Sequence, residues 1–207
     1  MSNFLAVDTS SRHLTVVAQK GSKKKVNYIA DCAMNHSVAL MDEIVKTLND
    51  VGLTVAECDY FVAVTGPGSF TGIRIGISCV KGYAVALGKS AYGVTTFDML
   101  SYNVNSDCDY LIAVDAGRGN YYVCAYSADG NKDGEAAFLS EEKLNSLGRP
   151  VYGFEELSLP LYTRLKVENC LCVAAEKCQS GEGGGLSALY VKKPQAEEER
   201  EARLKRV

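Results

Sequence analysis

Apolar and polar positions fall into short, sharply bounded runs at the start of the chain. Phe4-Leu5-Ala6-Val7 is a continuous apolar run ending in Asp8-Thr9, which reads as a buried strand. Leu14, Val16 and Ala18 then alternate with other residues up to Gly21-Ser22. Val26, Tyr28 and Ala30 alternate again, so a three-stranded meander is expected. Lys23, Lys24 and Lys25 read as part of its solvated hairpin turn. The period then changes. Val38, Met41, Ile44, Val45 and Leu48 recur at helical spacing, with Asn35 placed to cap the helix and Gly52 to stop it. Tyr60 to Thr65 reads as a fourth strand and Phe70 to Leu87 as a second helix. Ala91 to Val94 reads as a fifth strand, followed by a short helix near Phe97 to Tyr102.

Strand, strand, strand, helix, strand, helix, strand, helix is the order of a ribonuclease-H-like unit. The first strand has an echo: Leu111-Ile112-Ala113-Val114-Asp115 repeats the pattern of Phe4 to Asp8. At the same spacing Val16 matches Val123 and Ala18 matches Ala125. A duplication follows. The expected class is α/β, an actin/Hsp70/sugar-kinase-like duplicated ribonuclease-H-like fold with a truncated second lobe. Residues 1–103 would form the first lobe, 104–193 the shortened second lobe and 194–207 a charged tail. In such folds two acid-tipped hairpins face each other over the phosphates and metal of ATP. Asp8, Thr9 and Ser10 in one hairpin, and Asp115 and Gly117 in the other, are the vestigial phosphate-loop candidates. Gly183-Gly184-Gly185 reads as a flexible loop.

Composition narrows the functional classes. A net charge of −3 argues against a chain that grips nucleic acid by itself. No apolar stretch reaches membrane-spanning length, and no basic, apolar leader is visible, so a cytoplasmic protein is expected. Of the eight cysteines, Cys79 and Cys124 sit in apolar runs. Cys170, Cys172 and Cys178 lack paired zinc-type spacing, so no metal is expected there.

The most distinctive stretch is Gly66-Pro67-Gly68-Ser69-Phe70-Thr71-Gly72-Ile73-Arg74-Ile75-Gly76. A P-loop would need Lys-Ser/Thr after the last glycine, and Ile73-Arg74 stand there. A dinucleotide-binding turn would want an acid at the end of the next strand, which reads Ala91 to Thr96 without one. The helix itself carries two stripes. Ile73, Ile77, Val80, Ala84 and Leu87 form an apolar one; Gly72, Gly76, Cys79 and Tyr83 form a second, mostly of small residues. Each helical glycine costs about 1 kcal/mol relative to alanine. Close approach of a partner helix would offset that cost, so the second stripe reads as an intersubunit interface.

Gly66 to Gly76 followed by Lys81-Gly82 resembles the signature of the TsaB family. So do Ala6-Val7-Asp8-Thr9-Ser10, the lone His36, Asp115 to Gly119 with Tyr121-Tyr122, and Tyr190 to Glu197. The resemblance runs nearly end to end. It implies a non-catalytic paralogue of TsaD, the subunit that transfers a threonylcarbamoyl group to tRNA adenosine next to the anticodon. TsaB proteins bind and activate TsaD; TsaE joins through that complex, TsaC makes the donor, and tRNA is met only indirectly. Homodimers through the first-lobe helices also belong to the family. No cofactor is then expected, and ATP or ADP is confined to a subunit junction. The implied interface takes Gly72, Ile73, Gly76, Ile77, Val80, Tyr83, His36 and Met41. A bulky residue at Gly72 or Gly76 is expected to block pairing and leave the fold mostly intact.

The chemistry of the residues agrees with a silent role. Two histidines one helical turn apart would chelate a metal, but His36 is followed at that spacing by Leu40. His13 falls on an expected strand, and no Ser-His-Asp set is recognisable. The rival reading is an ATP-dependent enzyme using Asp8 and Asp115. A peptidase is a third, weakened by the missing metal pair.

Overall fold

The computed structural model describes residues 2–33 and 35–192; the tail expected from Pro194 to Val207 lies outside them. In chain order the elements are β1 (Phe4–Asp8), β2 (Leu14–Lys20), β3 (Lys23–Ile29), α1 (His36–Val51), β4 (Tyr60–Val64), α2 (Phe70–Leu87), β5 (Ser90–Val94) and α3 (Thr96–Ser101). There follow β6 (Tyr110–Gly117), β7 (Asn120–Tyr126), β8 (Lys132–Ser140), α4 (Glu141–Asn145), β9 (Val151–Gly153), β10 (Tyr162–Arg164) and α5 (Cys170–Lys177).

The first sheet has the order β3-β2-β1-β4-β5 and the second β10-β9-β6-β7-β8. In each, three antiparallel strands are followed by two that run parallel to the first. The two sheets therefore have one topology, and the chain is a duplicated ribonuclease-H-like fold. The repeat slips by one residue at the first turn. Asp8 faces Thr15 across its hairpin, whereas Asp115 faces Tyr121. The counterpart of Val16 is thus Tyr122, and that of Ala18 is Cys124, not the Val123 and Ala125 of an ungapped match. Arg118 and Gly119 both have positive φ (58° and 71°), which closes the second turn tightly.

Truncation of the second lobe has a definite form. The long crossover helix between β4 and β5 has no equivalent between β9 and β10, and the five-residue α4 stands where the 16-residue α1 would be. On the first sheet, α1 and α2 cover one face with Leu40, Ile44, Leu48, Val80 and Ala84. The opposite face meets the second sheet around α3 and α5 in the largest apolar cluster. Both long helices end on a left-handed glycine, Gly52 (φ 70°) and Gly88 (φ 61°). Asn35 does precede α1 but makes no side-chain cap bond; Ser69 caps α2, its hydroxyl accepting from the Gly72 amide.

Three expectations change. Lys23 to Lys25 belong to β3, not to the turn, and Lys24 and Lys25 pair with Glu176 and Asp50. In α1, Val38, Met41 and Val45 point outward, because the core side is set by Leu40, Ile44, Thr47, Leu48 and Val51. Gly183 to Gly185 is a fixed strip: Gly184 exchanges two backbone hydrogen bonds of 2.8 Å with Gly93 in β5. Only glycine fits there, since a Cβ on Gly93 would meet the Gly185 carbonyl at 2.4 Å.

Candidate functional site

β1 is buried throughout, so its last residue delivers a carboxylate into the interior. Asp8 Oδ1 accepts the Ser10 amide at 2.8 Å, and Asp8 Oδ2 lies 2.8 Å from His13 Nε2. Burial opposes ionisation of Asp8, but the His13 imidazole and the Ser10 donors prevail and hold its carboxyl below the ordinary value. His13 is not on a strand. It occupies the turn before β2, buried, with its ring between Tyr28 and the edge of Phe154. Its Nδ1 lies 2.5 Å from Ser11 Oγ. A Ser-His-Asp array, not recognisable in the sequence, is therefore assembled within one turn. His36, assigned above to an interface, is also buried: its Nε2 donates to the His13 carbonyl at 2.9 Å and braces this turn from behind.

The same turn explains the glycines of α2. A Cβ on Gly72 would sit 1.9 Å from the Thr9 carbonyl oxygen, and one on Gly76 would sit 2.6 Å from Thr9 Oγ1. Thr9 Oγ1 donates to the Gly72 carbonyl at 2.6 Å, and the Ser69 amide donates to the Ser10 carbonyl at 2.6 Å. Gly72 and Gly76 thus serve close packing inside the chain, and with Ile73 and Val80, both buried, they offer no surface to a partner. Ile77 and Tyr83 are half-buried against the same core. Of the expected interface residues, Met41 is the exposed one, at 48%, and Tyr83 Oη reaches its sulfur at 3.8 Å. The outward surface of this helix pair is made by Val38, Met41, Val45 and Val85, with Ser78, Gly82 and Ala86 exposed at four-residue spacing along α2. Val38 and Val85 are 73% and 76% exposed, and nothing lies within 4 Å of where a Gly82 Cβ would be. By length and composition α2 could cross a membrane, yet here one side of it lies on β4 and β1.

The second hairpin repeats the local geometry: Asp115 Oδ1 accepts the Gly117 amide at 2.8 Å. Unlike Asp8, Asp115 is exposed. The two hairpins flank a cleft of about 610 Å³ whose walls include Ser10, Ser11, His13, Asp115, Glu155 and Arg164. Glu155 was not foreseen from the sequence. Its Oε1 accepts the Asp115 amide at 3.4 Å, and its Oε2 is sealed without a partner among the described residues. Burial first, and the nearby Asp115 carboxylate, push it up to about 7. The residues do not fit a metal–nucleotide site. Each oxygen of the inner acid is already engaged, one by His13 and one by the Ser10 amide, and Thr9 and Ser10 present carbonyls to the start of α2 where a phosphate would need donors.

Comparison with known proteins places this geometry. Residues 30–155 match the family model described as TsaD, tRNA N6-adenosine threonylcarbamoyltransferase. The tRNA threonylcarbamoyladenosine biosynthesis protein TsaB of Buchnera aphidicola is 32% identical over 128 residues, 59% of this chain. TsaB of Bacillus subtilis is 33% identical over 125 residues, also 59% of this chain. The chain belongs to the TsaD-type family, in its TsaB branch. The matches span 60% and 54% of those two TsaB proteins' own length. An uncharacterized Pseudomonas aeruginosa protein, described as similar to peptidase YeaZ, superposes with a TM-score of 0.75 at 22% identity. That match covers 93% of this chain and all of the other, and it shows the shared fold.

Proposed function

We propose that this chain is a partner subunit in threonylcarbamoylation of tRNA adenosine. It binds and activates TsaD through the outer face of α1 and α2, while the transfer chemistry resides in TsaD. The observation that carries the reading is that face. Val38, Met41, Val45 and Val85 stand exposed beside a lane of small residues at Ser78, Gly82 and Ala86, a surface suited to close helix packing. This replaces the buried Gly72 and Gly76 stripe with its outward neighbour. The family of the chain supplies the partner, and the same face would serve a homodimer at rest. TsaE joins through TsaD, tRNA is met only indirectly, and the setting is the cytoplasm. The chain needs no cofactor of its own in this role; nucleotide belongs to the subunit junction. The rival ATP-dependent reading is disfavoured by the engagement of both Asp8 oxygens within its own turn.

Two measurements test the proposal. Reconstituted modification of tRNA with purified cognate TsaC, TsaD and TsaE should require this chain. Gly82→Trp and Val85→Asp, both in open positions, should abolish co-elution with TsaD while the isolated chain still folds and melts cooperatively. Modification that proceeds equally without the chain, or an intact complex in both variants, would overturn it.

A further inference from the structure

The hydrogen-bond inventory of the first hairpin assigns protons. An ionised carboxylate only accepts, so Asp8 Oδ2 requires hydrogen on His13 Nε2. In the neutral imidazole Nδ1 is then bare. Ser11 Oγ already receives the His13 backbone N–H at 3.2 Å, which leaves its own hydrogen to be donated to Nδ1 at 2.5 Å. The tautomer is therefore the one in which imidazole can take a proton from serine while an anion waits on its far side. Tyr28 and Phe154 hold the ring, and the His36 bond to the His13 carbonyl holds the backbone. Asp8 and His13 are buried, whereas Ser11 is half-buried on the wall of the cleft, which has the volume of a small-molecule site. Ser11 and His13 both line that cleft, and Asp8 sits beyond the imidazole on its Nε2 side.

We propose that Ser11, with His13 as general base and Asp8 as its positioning residue, forms a nucleophilic centre that takes the acyl group of a small activated ester bound in the interlobe cleft. Ser11 Oγ forms a bond to the carbonyl carbon as its proton passes to His13 Nδ1. The C–O bond to the leaving group breaks, and that group departs with the proton from Nδ1. Water attacks the acyl-serine by the same route, releasing the carboxylic acid and restoring Ser11. No oxidant, metal or nucleotide enters the balance. The reaction is independent of the partner role: failure of the TsaD reconstitution leaves it standing, and its own failure leaves that role standing.

The test uses the full chain with p-nitrophenyl acetate and a fluorophosphonate probe, read by nitrophenol release and by intact and peptide mass. One adduct per chain is expected, on Ser11, forming on the order of 10²-fold faster in the folded protein than in the same protein unfolded in urea. Ser11→Ala should lose the adduct. His13→Gln should slow acylation by about 10²-fold. Melting temperatures identify folded variants, and the folded-versus-unfolded comparison of the unaltered chain needs no variant at all. Equal rates folded and unfolded, an adduct elsewhere, or labelling that survives Ser11→Ala would overturn the proposal.

Discussion

A methyl group added at Gly72 has nowhere to go. Its carbon would lie 1.9 Å from the Thr9 carbonyl oxygen, which is backbone and cannot rotate aside. Either α2 moves outward or the turn after β1 moves back. Both displacements threaten the 2.6 Å bond from Thr9 Oγ1 to the Gly72 carbonyl. Overpacking of this kind costs about 1–3 kcal/mol, and a buried hydroxyl left without its acceptor costs about 1–3 kcal/mol more. The better helix propensity of alanine returns about 1 kcal/mol. Gly72→Ala should therefore destabilise the fold by about 3 kcal/mol. Gly82→Ala, ten residues on in the same helix, meets nothing within 4 Å and should stabilise it by about 1 kcal/mol. Urea unfolding of the two variants beside the parent chain reads the difference. In thermal melts, at about 2–4 °C per kcal/mol, Gly72→Ala should fall by about 6–12 °C and Gly82→Ala rise by about 3 °C. If Gly72→Ala is as stable as the parent, or if the two variants match, the packing explanation of Gly72 is wrong.

Glu155 gives a pH signature. Its folded value is raised to about 7, so the native state holds a proton the unfolded chain releases near 4.5. Its contribution is whole below about 4.5 and is lost as pH rises towards 7. Glu155→Gln should remove up to about 3 kcal/mol of that decline, and identical pH profiles for variant and parent would refute it. Asp8→Ala leaves the buried His13 Nε2–H without its acceptor and should cost about 2 kcal/mol in urea unfolding, whereas Asp115→Ala, at an exposed acid, should cost under about 1 kcal/mol. Equal effects at the two acids would contradict the asymmetry between the hairpins. Gly93→Ala drives a methyl into the Gly185 carbonyl and should expose the segment after Gly181 to limited proteolysis; an unchanged digestion pattern would show that the bridge to Gly184 does not hold that segment.

The first lobe was readable because its signals are strong and local. Phe4 to Val7 is wholly apolar, Gly52 and Gly88 are left-handed stops, and the echo of Asp8 at Asp115 exposed the duplication. The one-residue slip after Asp115 was invisible, because Val123 and Ala125 are apolar whichever alignment is used. Strands of three residues, such as β9 and β10, are too short to show a period. Helical spacing told which residues of α2 share a side, but not which side meets the sheet turn and which meets solvent. Hence Gly72 and Gly76 were given to a partner while Thr9 occupies that space. The Ser11-His13-Asp8 array depends on the fold of a five-residue turn that has no periodicity, and Glu155 depends on contact between lobes.

The strip at Gly184 also determines how this molecule can be approached. By pairing with Gly93 it occupies the outer edge of β5 at that position, where another chain would otherwise find unpaired backbone groups. At the opposite margin of the same sheet, β3 opens with three exposed lysines. One border is therefore bridged by the chain's own backbone, and the other carries long charged side chains, two of them held in ion pairs with Glu176 and Asp50. Both margins of the first sheet thus carry features that hinder the addition of a further strand.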